Sequence, residues 1–181
     1  MENENIAKAG QYLTFFLKSQ SYGVPIAAVR EINQLSDIVK IPKTPNFVMG
    51  VMNLRGKVIP VVDLRMKFGM DKTPHTKETC IIVIETLLGQ VGAVVDAVSE
   101  VIDLTLEQIG PAPVLGDEKE LSFVKGMGKF NNGVIVLVDV VNALSKEEFH
   151  SDYKHTGRVK VNCACGEFMQ RLITWEKWST Y

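Results

Sequence analysis

Little in this chain points to chemistry of its own. Its three cysteines are an odd number, which argues against a disulfide framework and agrees with a reducing compartment. Its apolar runs fall well short of the roughly 20 residues a membrane-spanning helix needs. The opening MENENIAKAGQ lacks the basic and apolar regions of a signal peptide, so the expected location is cytoplasmic. Neither sign of charge dominates: 20 basic and 21 acidic residues leave a net charge of −1, and no overall field draws the molecule to phosphate backbones or anionic lipid. No P-loop or glycine-rich phosphate cradle occurs. His75 reads as a loop residue, Cys80 as the opening of a strand, and Asp63 and Asp139 as helix caps, which leaves no triad and no carboxylate pair. Catalysis, a cofactor, a metal and nucleic acid are therefore not expected.

Long amphipathic helices are missing as well. What is present are short β-branched and aromatic runs bounded by Gly, Pro and Asn: YLTFFLK (12–18), KVIPVVDL (57–64), CIIVIE (80–85) and GVIVLVDV (133–140). These read as strands. Short helices are expected to begin near Asp63 and Asp139, each a plausible N-cap closing an apolar strand. The 181 residues suffice for one ordinary domain or two small, closely packed ones, and 46% hydrophobic content supports a buried core in a mainly β fold.

The chain also repeats itself. FVMGVMNLRGKVIPVVDLRMKF (47–68) aligns without gaps on FVKGMGKFNNGVIVLVDVVNAL (123–144), with seven identities in 22 positions. Average usage would give about one or two, so the match is an internal duplication. Upstream, YGVPIAAVREI (22–32) aligns on VGAVVDAVSEV (91–101), sharing Gly23 with Gly92, Ala28 with Ala97, Val29 with Val98 and Glu31 with Glu100. The unit is strand, loop, strand, a short turn or helix carrying a Glu, strand, turn, strand and an Asp-capped short helix. One unit alone is marginal, whereas two can curl into small barrels and bury a shared seam, which removes exposed edges. The expected organisation is a flexible segment at 1–10, a first barrel at 11–75, a second at 76–148, and an extension at 149–181. The two barrels would be related by approximate twofold symmetry, with a linker near GMDKTPHTKE (69–78).

Within this frame one residue is conspicuous. In MNLRGKV, Gly56 supplies a permissive turn between two apolar strands, and Arg55 stands on that turn with no nucleophile or metal ligand nearby. Its plain reading is a solvated turn arginine; its functional reading needs a partner, and Glu31 is the candidate. An exposed pair of this kind contributes roughly 0 to 1 kcal/mol, so its value lies in orientation at a contact surface.

TPNFVMGVMNLRGKVIPVVDLRMKFG, with YGVPIAAVREI before it and VDAVSEVIDLTLEQIGPAP after it, closely resembles the CheW family of bacterial chemotaxis coupling proteins from Gln11 to Glu148. The resemblance implies two intertwined SH3-like five-stranded β-barrels related by pseudo-twofold symmetry, with short helices. It implies a non-catalytic adaptor, without cofactors, that couples the cytoplasmic helical tips of methyl-accepting chemotaxis receptors to the regulatory domain of the histidine kinase CheA. Such an adaptor reaches the membrane only through receptors, in arrays where kinase and adaptor alternate in rings. Carried over by position, Ile26, Glu31, Ile32, Arg55, Val98 and Val101 fall in the receptor-binding groove. Val29 and Gly50 fall at a first kinase contact, and Val114 and Leu115 at a second. At that second contact the family often shows an acidic residue followed by an aromatic, a pattern this chain departs from.

A groove of Ile and Val rimmed by one Arg and one Glu suits an amphipathic helix. Plain core packing is the alternative for Ile26, Val98 and Val101, and crowded strand geometry for Gly50, which recurs as Gly126. A fusion to a receiver domain, or a fragment of the kinase, would need more chain than the repeat leaves. The tail from His150 carries His155, Cys163 and Cys165, but its C-x-C spacing is not that of a zinc knuckle, and an extension without a metal is the plainer reading. Trp175 and Trp178 with Leu172 and Ile173 could form a short amphipathic helix there.

Overall fold

The computed structural model describes residues 7–86, 89–112 and 123–144. The first half runs β1 (Gly10–Leu17), β2 (Gln20–Pro25), β3 (Val29–Gln34), β4 (Val48–Leu54), β5 (Lys57–Asp63) and α1 (Leu64–Lys67). The second runs β6 (Cys80–Thr86), β7 (Gly89–Val95), β8 (Ala97–Leu104), the short β9 (Ile109–Gly110), β10 (Val124–Phe130), β11 (Gly133–Val138) and α2 (Val140–Ala143). Both helices start where the sequence places their caps: the Asp63 carboxylate accepts from the Arg65 amide, and Asp139 accepts from the Asn142 amide.

The halves exchange strands. One sheet has the order β8-β1-β2-β11-β10-β9 and the other β3-β6-β7-β5-β4, so each mixes strands of both repeats. The parallel contacts that join the repeats are themselves related, β11 with β2 in one sheet and β5 with β7 in the other. This is the mainly β, pseudo-twofold architecture that the duplication implies, intertwined as the family resemblance implies. Neither ladder closes on itself among the described residues, so the SH3-like form is carried by curled sheets and not by sealed cylinders. The curl is tight: a Cβ on Gly128 of β10 would lie 2.8 Å from Leu104 Cδ1 of β8, across the first sheet's interior.

Alternation along the strands explains why their apolar runs are continuous. On β6, Ile82 and Ile84 enter a seam shared by the two sheets, while Ile81 and Val83 point into the second sheet's own interior. On β1, Leu13, Phe15 and Leu17 face the seam and Tyr12 faces the first sheet's interior. With both faces covered, no position on β6 from Ile81 to Ile84 needs to be polar, whereas on β1 the outer cover ends at Phe16, which is exposed. Aromatic rings reinforce the seam: Phe68, at the end of α1, stacks on Phe123 at 4.3 Å between centroids.

One expectation changes. The Glu-bearing segments are strand in both halves, β3 and β8, with a turn of 3-10 helix at Ile26–Ala28 before β3 and another at Leu106–Gln108 after β8. VREINQ and AVSEVIDL alternate with period two, the pattern of a strand with one face covered, and in both sheets this strand lies at the edge.

Candidate functional site

Leu54 and Lys57 pair across the β4–β5 hairpin, leaving Arg55 and Gly56 as its two-residue turn. Both are left-handed, with φ of 54° and 88°, the mirror-image turn whose twist matches paired strands. Glycine accepts this conformation freely; an arginine does so at a cost of about 1 kcal/mol. The turn is held by the Asn53 side chain, whose Oδ1 accepts from the Gly56 amide at 2.8 Å. So placed, Arg55 Nη2 donates to Glu31 Oε2 at 2.7 Å across to β3. The Arg55 side chain is 81% exposed and that of Glu31 24%, so the carboxylate is seated and the guanidinium stands in solvent. A strained, exposed arginine aimed at a half-buried acid is a presented group.

The remaining groove candidates divide between the two faces of the edge strands. Glu31 lies opposite Val83, which belongs to the second sheet's interior, whereas Ile32 lies opposite Ile82 of the shared seam. Successive residues of a strand point to opposite faces, so the ion pair and Ile32 meet only across the edge of β3. On the seam side, Ile26, Val29 and Val98 are half-buried and pack against the common core. Val101, opposite Leu13 on β8, is exposed to 47%, and Ile32 to 44%. Ile26, Val29 and Val98 therefore each pack against one common core. Ile32 and Val101 stand exposed on edge strands of the two different sheets.

Gly50 is buried, with φ of 143°, at a bulge where β4 shifts register against β5. A Cβ there would lie 2.1 Å from the Val39 carbonyl oxygen. That carbonyl belongs to a segment that pairs with Val51 through two backbone hydrogen bonds and covers the outer edge of β4. Val114 and Leu115 lie outside the described residues, as do His150, His155, Cys163, Cys165, Trp175 and Trp178.

The sequence reading took Asp63 for a cap alone and missed a buried ionic cluster. Arg65 is 1% exposed and forks onto Asp63, with Nε 3.2 Å from Oδ1 and Nη2 3.1 Å from Oδ2. Its Nη1 lies 2.9 Å from Asp96 Oδ1 and also meets the Thr73 hydroxyl; Nη2 approaches His75 Nδ1 at 3.3 Å. The cluster thus ties α1, the linker and the entry to β8 together. Its signal was an arginine two residues after an Asp cap, at the end of a fully apolar strand. Among the described residues no group of three or more His, Cys, Asp or Glu could hold a metal ion, and no helix is long and apolar enough to cross a membrane.

Comparison with known proteins agrees with this fold. Residues 11–148 match the family model described as CheW-like domain. The chain is 38% identical over 138 residues to the chemotaxis protein CheW of Klebsiella aerogenes, covering 76% of this chain and 83% of that one. It is 32% identical over 147 residues to the chemotaxis protein CheW of Helicobacter pylori, covering 81% and 86%. Among solved structures, the scaffolding protein TtCheW of Thermoanaerobacter tengcongensis superposes with a TM-score of 0.69 at 36% identity, over 76% of this chain and 94% of that one.

Proposed function

The chain belongs to the CheW-like family of chemotaxis adaptors, and from that premise we propose which of its surfaces meets which partner. The adaptor couples methyl-accepting receptors to the histidine kinase CheA. The receptor's helical tip docks along the β3 and β8 edges, with Ile32 and Val101 as exposed anchors. Ile26 and Val98 form the floor between them, and the Glu31–Arg55 pair fixes orientation. The observation that carries this reading is the pair itself: an arginine held in a left-handed turn, with its guanidinium exposed and its partner carboxylate seated. A residue that served only the turn would not need that side chain.

For the kinase, Val29 and Gly50 belong to one contact, and Val114 and Leu115 to the other. Because Gly50 is buried, it supports the first contact by letting β4 bulge, and a side chain there would disturb the ladder before it reported on binding. The adaptor works in the cytoplasm and gathers at membrane arrays only through the receptors it holds.

The test is receptor-tip binding and receptor-coupled kinase activity in reconstituted arrays with Arg55→Ala and Glu31→Lys, alongside thermal melts. Expected are unchanged melting and receptor binding weakened about tenfold, the loss of about 1.4 kcal/mol. Coupling unchanged in both variants would remove these residues from the site. A protein that binds the tip or the kinase regulatory domain, but never both at once, would not be an adaptor.

A further inference from the structure

The duplication places a cavity where the other half holds Arg65. Counting along the repeat, Asp139 corresponds to Asp63, Val141 to Arg65 and Ala27 to Asp96. Ala7–Tyr12, entering β1, corresponds to Thr76–Ile81 entering β6, a register that the two matching hairpin ends confirm: Leu17 with Gln20, Thr86 with Gly89. At the first position a buried guanidinium sits between Asp63 and Asp96. At the second, neither the arginine nor the second acid is present, and a cavity of about 360 Å³ opens instead. Its walls are mostly apolar, among them Ala7, Pro25, Ala27 and Leu137; Asp139 is its one acid, with Lys125 beside it and Lys8 and Gln11 at the entry to β1.

The Asp139 carboxylate has room for another donor. Asn142 takes two of its roughly four acceptor sites, through the backbone amide at 3.0 Å and Nδ2 at 2.7 Å. Lys125 Nζ stands 3.7 Å from Oδ2, beyond hydrogen-bond distance. The site therefore keeps acceptor capacity at the end of an apolar slot. That combination matches a long aliphatic stem tipped by a planar, forked cation, and the cluster around Arg65 is the same fold's own example of it.

We propose that this cavity receives an arginine side chain from a partner protein, its guanidinium on Asp139 and its methylenes against Pro25, Ala27 and Leu137. The partner supplies in trans what Arg65 supplies in cis at the related position. An acidic group would face the Asp139 carboxylate, and a compact ammonium would compete with Lys125 without gaining the fork.

The experiment follows the backbone amides of the full ¹⁵N-labelled chain during titration with N-acetyl-arginine methylamide. The expected result is a saturable shift, in the millimolar range, at Ala7, Gly10, Ala27 and Asn142, with none from the neutral citrulline analogue. Asp139→Asn keeps a capping side chain, so it remains folded, and should weaken the response about tenfold or more. Val141→Arg should place the cation in cis and abolish the response in a protein whose melting shows it folded. The proposal is overturned by any of four outcomes: no shift at all, an equal shift from citrulline, a response undiminished in Asp139→Asn, or one that Val141→Arg leaves intact. A response that appears only after removal of residues 1–6 would assign the cavity to the chain's own N-terminal segment, and would equally overturn it.

Discussion

The β4–β5 and β10–β11 hairpins are copies of one another, with the same two-residue turn in the same left-handed backbone, yet one presents Arg55-Gly56 and the other Asn131-Asn132. Asparagine enters this conformation at little cost because its short polar side chain bonds locally; arginine has no such compensation. The helix caps diverge in the same sense. Asp63 holds the buried Arg65, whereas Asp139 holds Asn142 on the surface. Packing demands were thus duplicated and kept, while charge diverged: Arg55 and Arg65 have no charged counterpart in the second half, and Asp96 has none in the first. Where two copies of one framework differ, and the difference costs conformational energy, the costlier copy marks function or a specific structural tie.

The largest expected effect separates those two possibilities. Arg65→Ala leaves Asp63 and Asp96 buried or half-buried without their cation, and should destabilise the fold by about 3–5 kcal/mol. Val141→Ala, at the matching position, removes only part of a half-buried side chain and should cost roughly 1 kcal/mol. Urea unfolding of both variants decides: equal losses would mean that the cluster contributes no more than ordinary packing.

Next in size is the glycine pair. Gly50 and Gly126 both sit at bulges against a neighbouring carbonyl, 2.1 Å and 2.7 Å from a notional Cβ, but Gly50 alone also has a positive φ. Gly50→Ala should cost about 2–3 kcal/mol and Gly126→Ala about half of that. Unfolding midpoints would show the order, and a reversed order would mean that the segment around Val39 yields more readily than β9.

How far the sequence revealed these features follows from their physics. The strands and the two caps were legible because apolar period and cap chemistry are local; the duplication implied two related barrels with a shared seam, and their intertwining came only from the family resemblance. The Glu31–Arg55 pair was legible because only one partner matched across the repeat. The Arg65 cluster was not: its members lie at 63, 65, 73, 75 and 96, and only the fold brings the linker and β8 onto α1. Nor could spacing tell that Glu31 and Ile32 serve opposite faces of one edge strand, since that segment read as a short turn or helix.

A smaller effect tests the hairpins directly. Arg55→Asn should leave stability equal or raise it by about 0.5 kcal/mol, because the relief of left-handed strain offsets the loss of an exposed ion pair. Asn131→Arg should lower it by about 1 kcal/mol. Thermal melts read both, and receptor-tip binding distinguishes the first variant as stable but uncoupled. A hairpin that tolerated arginine equally in both copies would remove the argument that Arg55 is retained against a conformational cost.

The smallest effect lies at high pH, and it too divides the halves. Tyr12 of β1 and Tyr22 of β2 correspond to Ile81 and Val91 of β6 and β7, so this pair of phenols belongs to the first sheet alone. Burial raises both phenols above their ordinary value of 10.0; for Tyr12 the hydrogen bond its hydroxyl gives to the Lys8 carbonyl acts more weakly on the shift. As the pH passes 10 the unfolded chain releases these protons while the folded chain still keeps them, so the unfolded state gains and stability falls. Below that pH both states hold the protons and the term vanishes. Stability measured by urea unfolding should therefore decline above about pH 10, and less steeply in the Tyr12→Phe, Tyr22→Phe double variant. Amide exchange should report the loss first on β1 and β2, whereas loss beginning on β6 and β7 would place the alkaline weakness in the half that lacks these phenols.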